Sequence, residues 1–143
     1  MDSSKSNIIK EIAQNLNCGF DSYYSSKTNE VISIPNFSQF SDEVEFKEAF
    51  KVDLDKITKN ESEYVKIEVL ESFESFKIME RFVSQMSENQ MKLELEKILQ
   101  MKKPFQNFKY SIENSDFRNL WFVFKQNELE KIVENRLKSI RLK

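Results

Sequence analysis

The sequence predicts an α+β fold: an N-terminal helix, a small three-stranded antiparallel sheet and a helical C-terminal half. Segments rich in β-branched and aromatic residues concentrate between residues 20 and 70. Apolar residues at helical spacing precede and follow them. No repeat or Gly/Pro-rich linker divides the 143 residues, so we expect one domain, 1–143, with a mixed part (1–70) and a helical part (71–143).

The first helix is expected from Ser6 to Cys18. Its apolar residues fall on one stripe, which contains Ile8, Ile9, Ile12, Ala13 and Leu16. Ser6 is suited to cap the first turn. Gly19, the only glycine, stands where a left-handed residue commonly ends a helix. No glycine therefore remains for a phosphate-binding loop.

Three strands are expected next. Residues 20–24 and 30–34 flank a polar tract in which Asn29 can take a left-handed turn position, so they predict a hairpin that ends at Pro35. Residues 64–70 alternate apolar and charged side chains, as a strand with one buried face does. We expect this strand to join the hairpin, because an isolated two-stranded ribbon is only marginally stable in water.

A second helix is expected between the hairpin and the third strand. Residues 36–43 predict a polar loop that leads into it. The helix is expected from Val44 to Asn60, and its apolar face contains Phe46, Phe50, Leu54 and Ile57.

Further helices are expected after Leu70. One is capped by Ser72, and the next begins at Ser87-Glu-Asn-Gln90, which has the form of a capping box. A third begins at Pro104, since proline is favoured in a first helical turn. Its buried residues are expected to be Phe105, Phe108 and Ile112.

The last helical segment is expected from Asp116 to Leu142, with a cap at Ser115 or Asn114. Its apolar residues fall on two stripes, which contain Phe117, Leu120, Trp121 and Phe124, and then Leu129, Ile132, Val133, Leu137 and Ile140. The step of five residues between the stripes predicts a kink or short break near Gln126. In an alternative interpretation, residues 120–125 form a strand.

Composition restricts the chemistry and the compartment. The chain has no His, which excludes imidazole zinc sites and His-dependent triads. Its single Cys cannot form an internal disulfide, which favours a reducing, cytoplasmic location. Cys18 is expected to be a buried or inert thiol, because no positive charge surrounds it in the sequence. No apolar run approaches the roughly 20 residues that span a bilayer, and no signal peptide is evident, so no membrane partner is expected.

The acidic residues do not suggest catalysis. Asp53 and Asp55 would point about 200° apart on a helix, so they cannot converge on one metal ion. Other carboxylates surround a strand-to-helix junction, where they favour the helix N-terminus: Glu68, Glu71 and Glu74. We therefore predict no catalytic residue, no cofactor and no metal site, and we favour a non-enzymatic protein. An enzyme is the third hypothesis, and it would require a buried carboxylate cluster in a deep pocket.

Charge is distributed unevenly. The net charge of −2 divides into −7 over residues 1–80 and +5 over residues 81–143. No acidic residue lies between Lys97 and Glu113. The candidate surface for an anionic partner is accordingly Lys102, Lys103, Lys109 and Arg118. The aromatic residues among these cations are more simply explained as core: Phe105, Phe108, Trp121 and Phe124.

Four stretches match a family pattern in order and spacing. They are residues 12–19 followed by Tyr24 and Glu30-Val, residues 67–82, Lys103-Pro-Phe-Gln-Asn-Phe-Lys109 and Trp121-Phe-Val-Phe124. They resemble the N-terminal helix and hairpin and three later motifs of UPF0158, a family of uncharacterised bacterial proteins. Asn29 replaces the hairpin glycine, and Val69 stands where proline is typical. The resemblance, which leaves out residues 36–62, implies a small intracellular bacterial protein and no particular activity.

Two functions stay open. The first is a non-enzymatic cytoplasmic interaction or regulatory module, whose partner is another protein of unknown identity. The second is weak nucleic-acid binding through the basic C-terminal half, where cationic contacts give salt-sensitive affinity. The sequence pI of about 5.4 argues against a dedicated nucleic-acid binder. The oligomeric state is not predicted.

Overall fold

The α+β prediction is confirmed by a computed structural model that describes residues 3–36 and 42–141. Within these ranges, seven α-helices accompany one three-stranded antiparallel sheet. Contacts group the chain into two units. The sheet unit comprises Met1–Val69 and Leu129–Lys143, and the helical unit comprises Leu70–Glu128. Whether the whole chain behaves as one domain stays a prediction.

Helix α1 (Ser3–Asn17) opens the sheet unit. Most of its predicted stripe is buried, namely Ile9, Ile12, Ala13 and Leu16. Gly19 has φ 84°, a value that only glycine adopts without strain, so its predicted role at the helix end is confirmed. The cap prediction for Ser6 is wrong, because the helix begins three residues earlier and a cap must lie outside the first turn.

The hairpin forms as predicted from β1 (Phe20–Ser25) and β2 (Val31–Pro35), with Asn29 at φ 61° in the turn. Strand β3 (Tyr64–Ile67) joins the other edge of β1, so the strand order is β2-β1-β3. The register places Tyr23 opposite both Ile32 and Lys66. Strand β3 ends before the predicted residue 70.

Three polar side chains of β1 are buried: Asp21, Ser22 and Ser25. Each accepts a hydrogen bond, as buried polar groups almost always do. Asn15 donates to Ser22 over 3.1 Å, and the N–H of Thr28 donates to Ser25 over 3.3 Å. The carboxylate of Asp21 accepts the N–H of Val69 at 2.9 Å, so a side chain replaces the strand partner there and β3 ends.

The prediction of one helix over residues 44–60 is wrong. Two shorter helices occur, α2 (Glu43–Ala49) and α3 (Lys51–Lys59), and they meet at Phe50, whose φ of −118° is not helical. Neither helix buries a residue. Since tertiary packing supplies most helical stability, nothing enforces a single straight helix here. A single 3-10 turn (Glu61–Glu63) leads into β3. Of the predicted loop 36–43, residues 37–41 lie outside the described ranges.

The helical unit begins with α4 (Ser72–Gln85) and α5 (Gln90–Leu99). The caps predicted at Ser72 and Ser87 are wrong. Glu71 occupies the cap of α4, where its N–H donates to the Glu74 carboxylate over 3.2 Å. Asn89 caps α5 by accepting the N–H of Lys92 at 2.8 Å. Each true cap is the residue immediately before the helix, where the backbone is extended.

Helix α6 (Pro104–Glu113) has proline in its first turn, as predicted. Phe108 and Ile112 are buried. The core prediction for Phe105 is wrong, because its ring contacts Phe76 at 6.3 Å and the residue stays 41% exposed. The buried aromatic cluster of the unit is formed by Phe82, Phe108 and Trp121, whose ring centroids lie 4.9 and 5.2 Å apart. Phe124 is half-buried at its edge.

Helix α7 (Arg118–Arg141) is continuous, so both the break near Gln126 and the strand at 120–125 are wrong. The helix belongs to the helical unit up to Glu128 and to the sheet unit from Leu129. The step between its two apolar stripes therefore marks a change of packing partner rather than a break. The predicted start at Asp116 and the cap at Ser115 or Asn114 are wrong, because α7 begins at Arg118. Asn114 is the C-cap of α6, and the Ser115 hydroxyl accepts the N–H of Phe117 at 3.1 Å in the turn before α7. In the described residues, no helix combines the length and apolarity needed to cross a membrane.

Candidate interaction surfaces

An open groove of about 530 Å³ lies in the helical unit, between the end of α4, the loop after it and the first half of α7. We call it the α4–α7 groove. Its apolar lining is Phe82, Met86, Phe117, Leu120, Val123 and Phe124, and its polar lining is Gln85, Ser87, Asn89 and Asn127. None of these side chains is charged. A concave apolar surface with a few neutral polar groups is typical of a binding site.

The α7 side of this groove is unusually apolar. Leu120–Phe124 is a run of five consecutive apolar residues. Trp121 points into the core, whereas Leu120 and Val123 are each 61% exposed and Phe122 is also exposed. A helix that is apolar on all sides is normally buried. These five residues, about 1.4 turns of α7, thus present apolar area that the helical unit does not cover.

The spacing within the groove suits a helical ligand. Leu120, Val123 and Asn127 are separated by three and four residues, so they form one stripe along α7. Phe82 of α4 and Met86, which follows α4, line the same groove. A groove bordered by side chains at helical spacing can accept the ridge of a further helix.

The four predicted cations are all exposed, and within the described chain none of them has an acidic side chain at salt-bridge distance. Lys102 and Lys103 immediately precede α6, and Lys109 lies one helical turn beyond Phe105. Arg118 stands apart from them at the start of α7, where its guanidinium lies 5.1 Å from the Phe122 ring.

We call the group of Lys102, Lys103, Phe105 and Lys109 the basic turn. Lys103 has left-handed backbone angles, φ 55° and ψ 53°, directly before Pro104. The side chain of Asn107 donates to the carbonyl of Lys102 over 3.2 Å and fixes the turn. Two further apolar side chains beside it are exposed, Met101 and Tyr110.

The residues of the predicted basic half are divided between the two units. The cations after Leu129 belong to the sheet unit, whereas the basic turn belongs to the helical unit. Arg136 donates to the carbonyl of Glu68 over 2.8 Å, and Lys138 pairs with Glu134 at 3.2 Å. These C-terminal cations thus make local structural contacts.

The clearest group of interacting titratable side chains is Glu30, Lys56 and Tyr64 in the sheet unit. Lys56 Nζ lies 2.7 Å from the Glu30 carboxylate, which also accepts the Tyr64 hydroxyl. These hydrogen bonds, first from Lys56 and then from Tyr64, lower the pKa of Glu30. The bond to Glu30 raises the pKa of Lys56 and of Tyr64. The group joins α3 and β3 to the start of β2, a structural role.

The other candidate site residues considered in the sequence analysis lie outside the α4–α7 groove and outside the basic turn. Cys18 is exposed rather than buried, because it follows the last residue of α1. Glu71 and Glu74 form the α4 cap. Glu68 lies 3.6 Å from Lys66. Among the described residues, no group of three or more Cys, Asp or Glu side chains is arranged to hold a metal ion.

The model of an uncharacterised protein family, UPF0158, matches residues 8–142. The chain belongs to UPF0158. The match confirms the resemblance and extends it through residues 36–62, which the four motifs leave out. No curated protein matches the chain significantly, and no solved structure does.

The groove of this UPF0158 protein was not predicted from the sequence. Its signal is the apolar run Leu120–Phe124, of which the sequence predicts only Trp121 and Phe124 in the core. Five consecutive apolar residues on a helix cannot all face one core, because successive side chains are rotated by about 100°. That geometric limit points to a second apolar face on α7, outside the core, and identifies the surface.

Proposed function

We propose that this UPF0158 protein is a non-enzymatic cytoplasmic interaction module whose α4–α7 groove binds the apolar face of an amphipathic helix of another protein. The observation that supports this proposal is the exposure of Leu120 and Val123, each 61%, in a groove lined largely by apolar side chains. Water contact with such a patch is unfavourable, and exposed contiguous apolar surface commonly marks an interaction site.

The lining favours a partner whose buried face is uncharged. A charged side chain placed in the groove would lose its hydration without gaining an opposite charge there. The amides of Gln85 and Asn127 and the hydroxyl of Ser87 can instead pair with polar groups at the partner's margin. Binding would then depend on apolar burial and depend little on salt.

A helical occupant is favoured over an added strand. Strand addition requires an open sheet edge, and the groove is formed by helices and a loop. A helix with apolar residues at i, i+3 or i+4, and i+7 would place its ridge against the Leu120–Val123–Asn127 stripe. The occupant is therefore expected to be amphipathic.

The test is selection from a displayed library of random 18-residue peptides on the immobilised full chain. We expect enriched peptides with apolar residues at helical spacing, whose binding is then measured by fluorescence anisotropy. The double variant Leu120→Glu/Val123→Glu should abolish that binding. Leu93→Glu is the matched control, because Leu93 is also an exposed leucine on a helix of the same unit but lies outside the groove.

Two results would contradict the proposal. One is a selection that enriches no peptide above background. The other is a set of enriched peptides that bind the double variant as tightly as the native chain while Leu93→Glu behaves identically. Circular dichroism of both variants should match the native spectrum, so that a lost interaction is not a lost fold.

A further inference from the structure

The basic turn combines unpaired cations with accessible aromatic surface. Lys102, Lys103 and Lys109 are exposed, and no acidic residue occurs between Lys97 and Glu113 to neutralise them. In the described chain none of the three lysines forms a salt bridge, although other lysines of this protein do. Three cations without a salt-bridge partner within residues 102–109 favour the binding of an anion.

Phe105 gives this cationic site a planar apolar element. Its edge-to-face contact with Phe76, at 6.3 Å and 76°, holds the ring while 41% of the residue stays accessible. Lys109 lies one turn along the same helix, next to Phe105. Tyr110, 74% exposed, adds a second accessible ring on α6.

We propose that the basic turn binds single-stranded nucleic acid without base specificity. The lysines would contact successive phosphates, and Phe105 would stack on an unpaired base. Cationic side chains that follow the backbone, combined with aromatic rings, are the shared features of proteins that bind single strands. This site is separate from the α4–α7 groove, and the proposal does not depend on the groove having a partner.

The observations favour a single strand over a duplex and over a membrane. In a duplex the bases are stacked inside, so Phe105 would have nothing to stack on. Recognition of an anionic lipid surface typically uses clusters of about 4–8 Lys or Arg, more than the basic turn supplies. Because three lysines span only about 9 Å of helix between Lys103 and Lys109, contact with a few nucleotides and a modest affinity are expected.

The experiment titrates the full chain into fluorescein-labelled 20-nucleotide oligouridylate and follows anisotropy at 50 and 200 mM salt. Neutralising three phosphates predicts a slope of log affinity against log salt of about −2, hence roughly 20-fold weaker binding at the higher salt. Lys102→Gln/Lys103→Gln/Lys109→Gln should remove binding. Phe105→Ala should weaken it on the order of tenfold, since stacking contributes at this scale.

The matched control removes the same charge elsewhere, through Lys10→Gln, Lys51→Gln and Lys59→Gln on exposed positions of the sheet unit. It should leave most of the affinity in place, as should the groove variant Leu120→Glu/Val123→Glu. Circular dichroism verifies that each variant is folded.

Several outcomes would overturn the proposal. They are flat anisotropy at 50 mM salt, an equal loss in the control triple, and no effect of Phe105→Ala. If polyglutamate of equal charge displaces the labelled strand as strongly as unlabelled oligouridylate does, the binding is a simple polyanion effect. Binding to a duplex of the same length that is tighter than binding to oligouridylate would also refute a single-strand site. So would binding to vesicles that contain phosphatidylserine, if the protein does not bind oligouridylate.

Discussion

Replacing Asp21 with alanine tests how the sheet unit is held together. The Asp21 carboxylate is only 5% exposed and accepts the N–H of Val69 at 2.9 Å and the amide of Asn36 at 3.3 Å. These bonds hold the residues that follow β3 and β2 against the central strand. Asp21→Ala removes both acceptors at once.

The expected loss follows from those contacts. A hydrogen bond to a charged group contributes about 1.5–3 kcal/mol, and the short bond from Val69 should be in that range. The longer bond from Asn36 contributes less, since hydrogen bonds weaken with distance. Relief of carboxylate desolvation offsets part of the total. We therefore expect the free energy of unfolding to fall by roughly 2–3 kcal/mol.

Urea denaturation followed by far-ultraviolet circular dichroism measures this change. With m-values of about 1–3 kcal/mol/M for small proteins, the midpoint should fall by roughly 0.7–3 M. Asp55→Ala is the control, because Asp55 is exposed on α3 and exposed substitutions usually stay within about 0.5 kcal/mol. If the two alanine variants unfold at the same urea concentration, the buried carboxylate contributes nothing and the reasoning is refuted.

Three further predictions follow from the groove, from Glu30 and from Gly19. Leu120→Ala/Val123→Ala should weaken the binding of a selected helical peptide by roughly 20- to 500-fold in anisotropy titrations. Burying a whole aliphatic side chain contributes about 1.5–3 kcal/mol, and 61% of each of these residues remains to be buried. An unchanged affinity would mean that the peptide binds elsewhere. Glu30→Gln should lower the free energy of unfolding above pH 4.5, and this difference from the native chain should vanish as the pH falls through the lowered pKa of Glu30. The reason is that a carboxyl group with a lowered pKa stabilises the fold only while it is ionised. Urea midpoints measured on both sides of pH 4.5 check this, and a difference independent of pH would contradict it. Gly19→Ala should lower the free energy of unfolding by about 1–2 kcal/mol, because φ 84° is strained for alanine. Thermal unfolding measures this, and an unaltered midpoint would mean that the turn relaxes.

Local chemistry made part of the fold predictable. The end of α1 and the hairpin turn depend on residues that tolerate a positive φ, so Gly19 predicts the first and Asn29 predicts the second. The third strand follows from its alternation. Pro104 marks the start of α6 because a proline ring fits a first helical turn.

Other features depend on packing that one segment cannot reveal. The division between α2 and α3 at Phe50 has no glycine or proline to mark it, and it reflects the lack of buried residues in both helices. Phe105 has helical spacing with Phe108, yet only Phe108 is buried. Likewise, the lysines of the basic turn are visible in the sequence, but whether they are paired is decided by the tertiary structure.

The discontinuity of the sheet unit has a consequence for the order of folding during synthesis. Residues 70–128 form an uninterrupted unit, whereas the sheet unit also needs Leu129, Val133 and Leu137, which are all buried. Domains fold during translation as their residues leave the ribosome, usually from the N-terminus. Here the order is expected to reverse: the unit encoded in the middle can be complete while the first-made residues still lack their closing helix. Ribosome-bound chains that carry a C-terminal linker, so that residue 128 has left the exit tunnel while residue 129 has not, should accordingly show protection of the helical unit from proteolysis before the sheet unit.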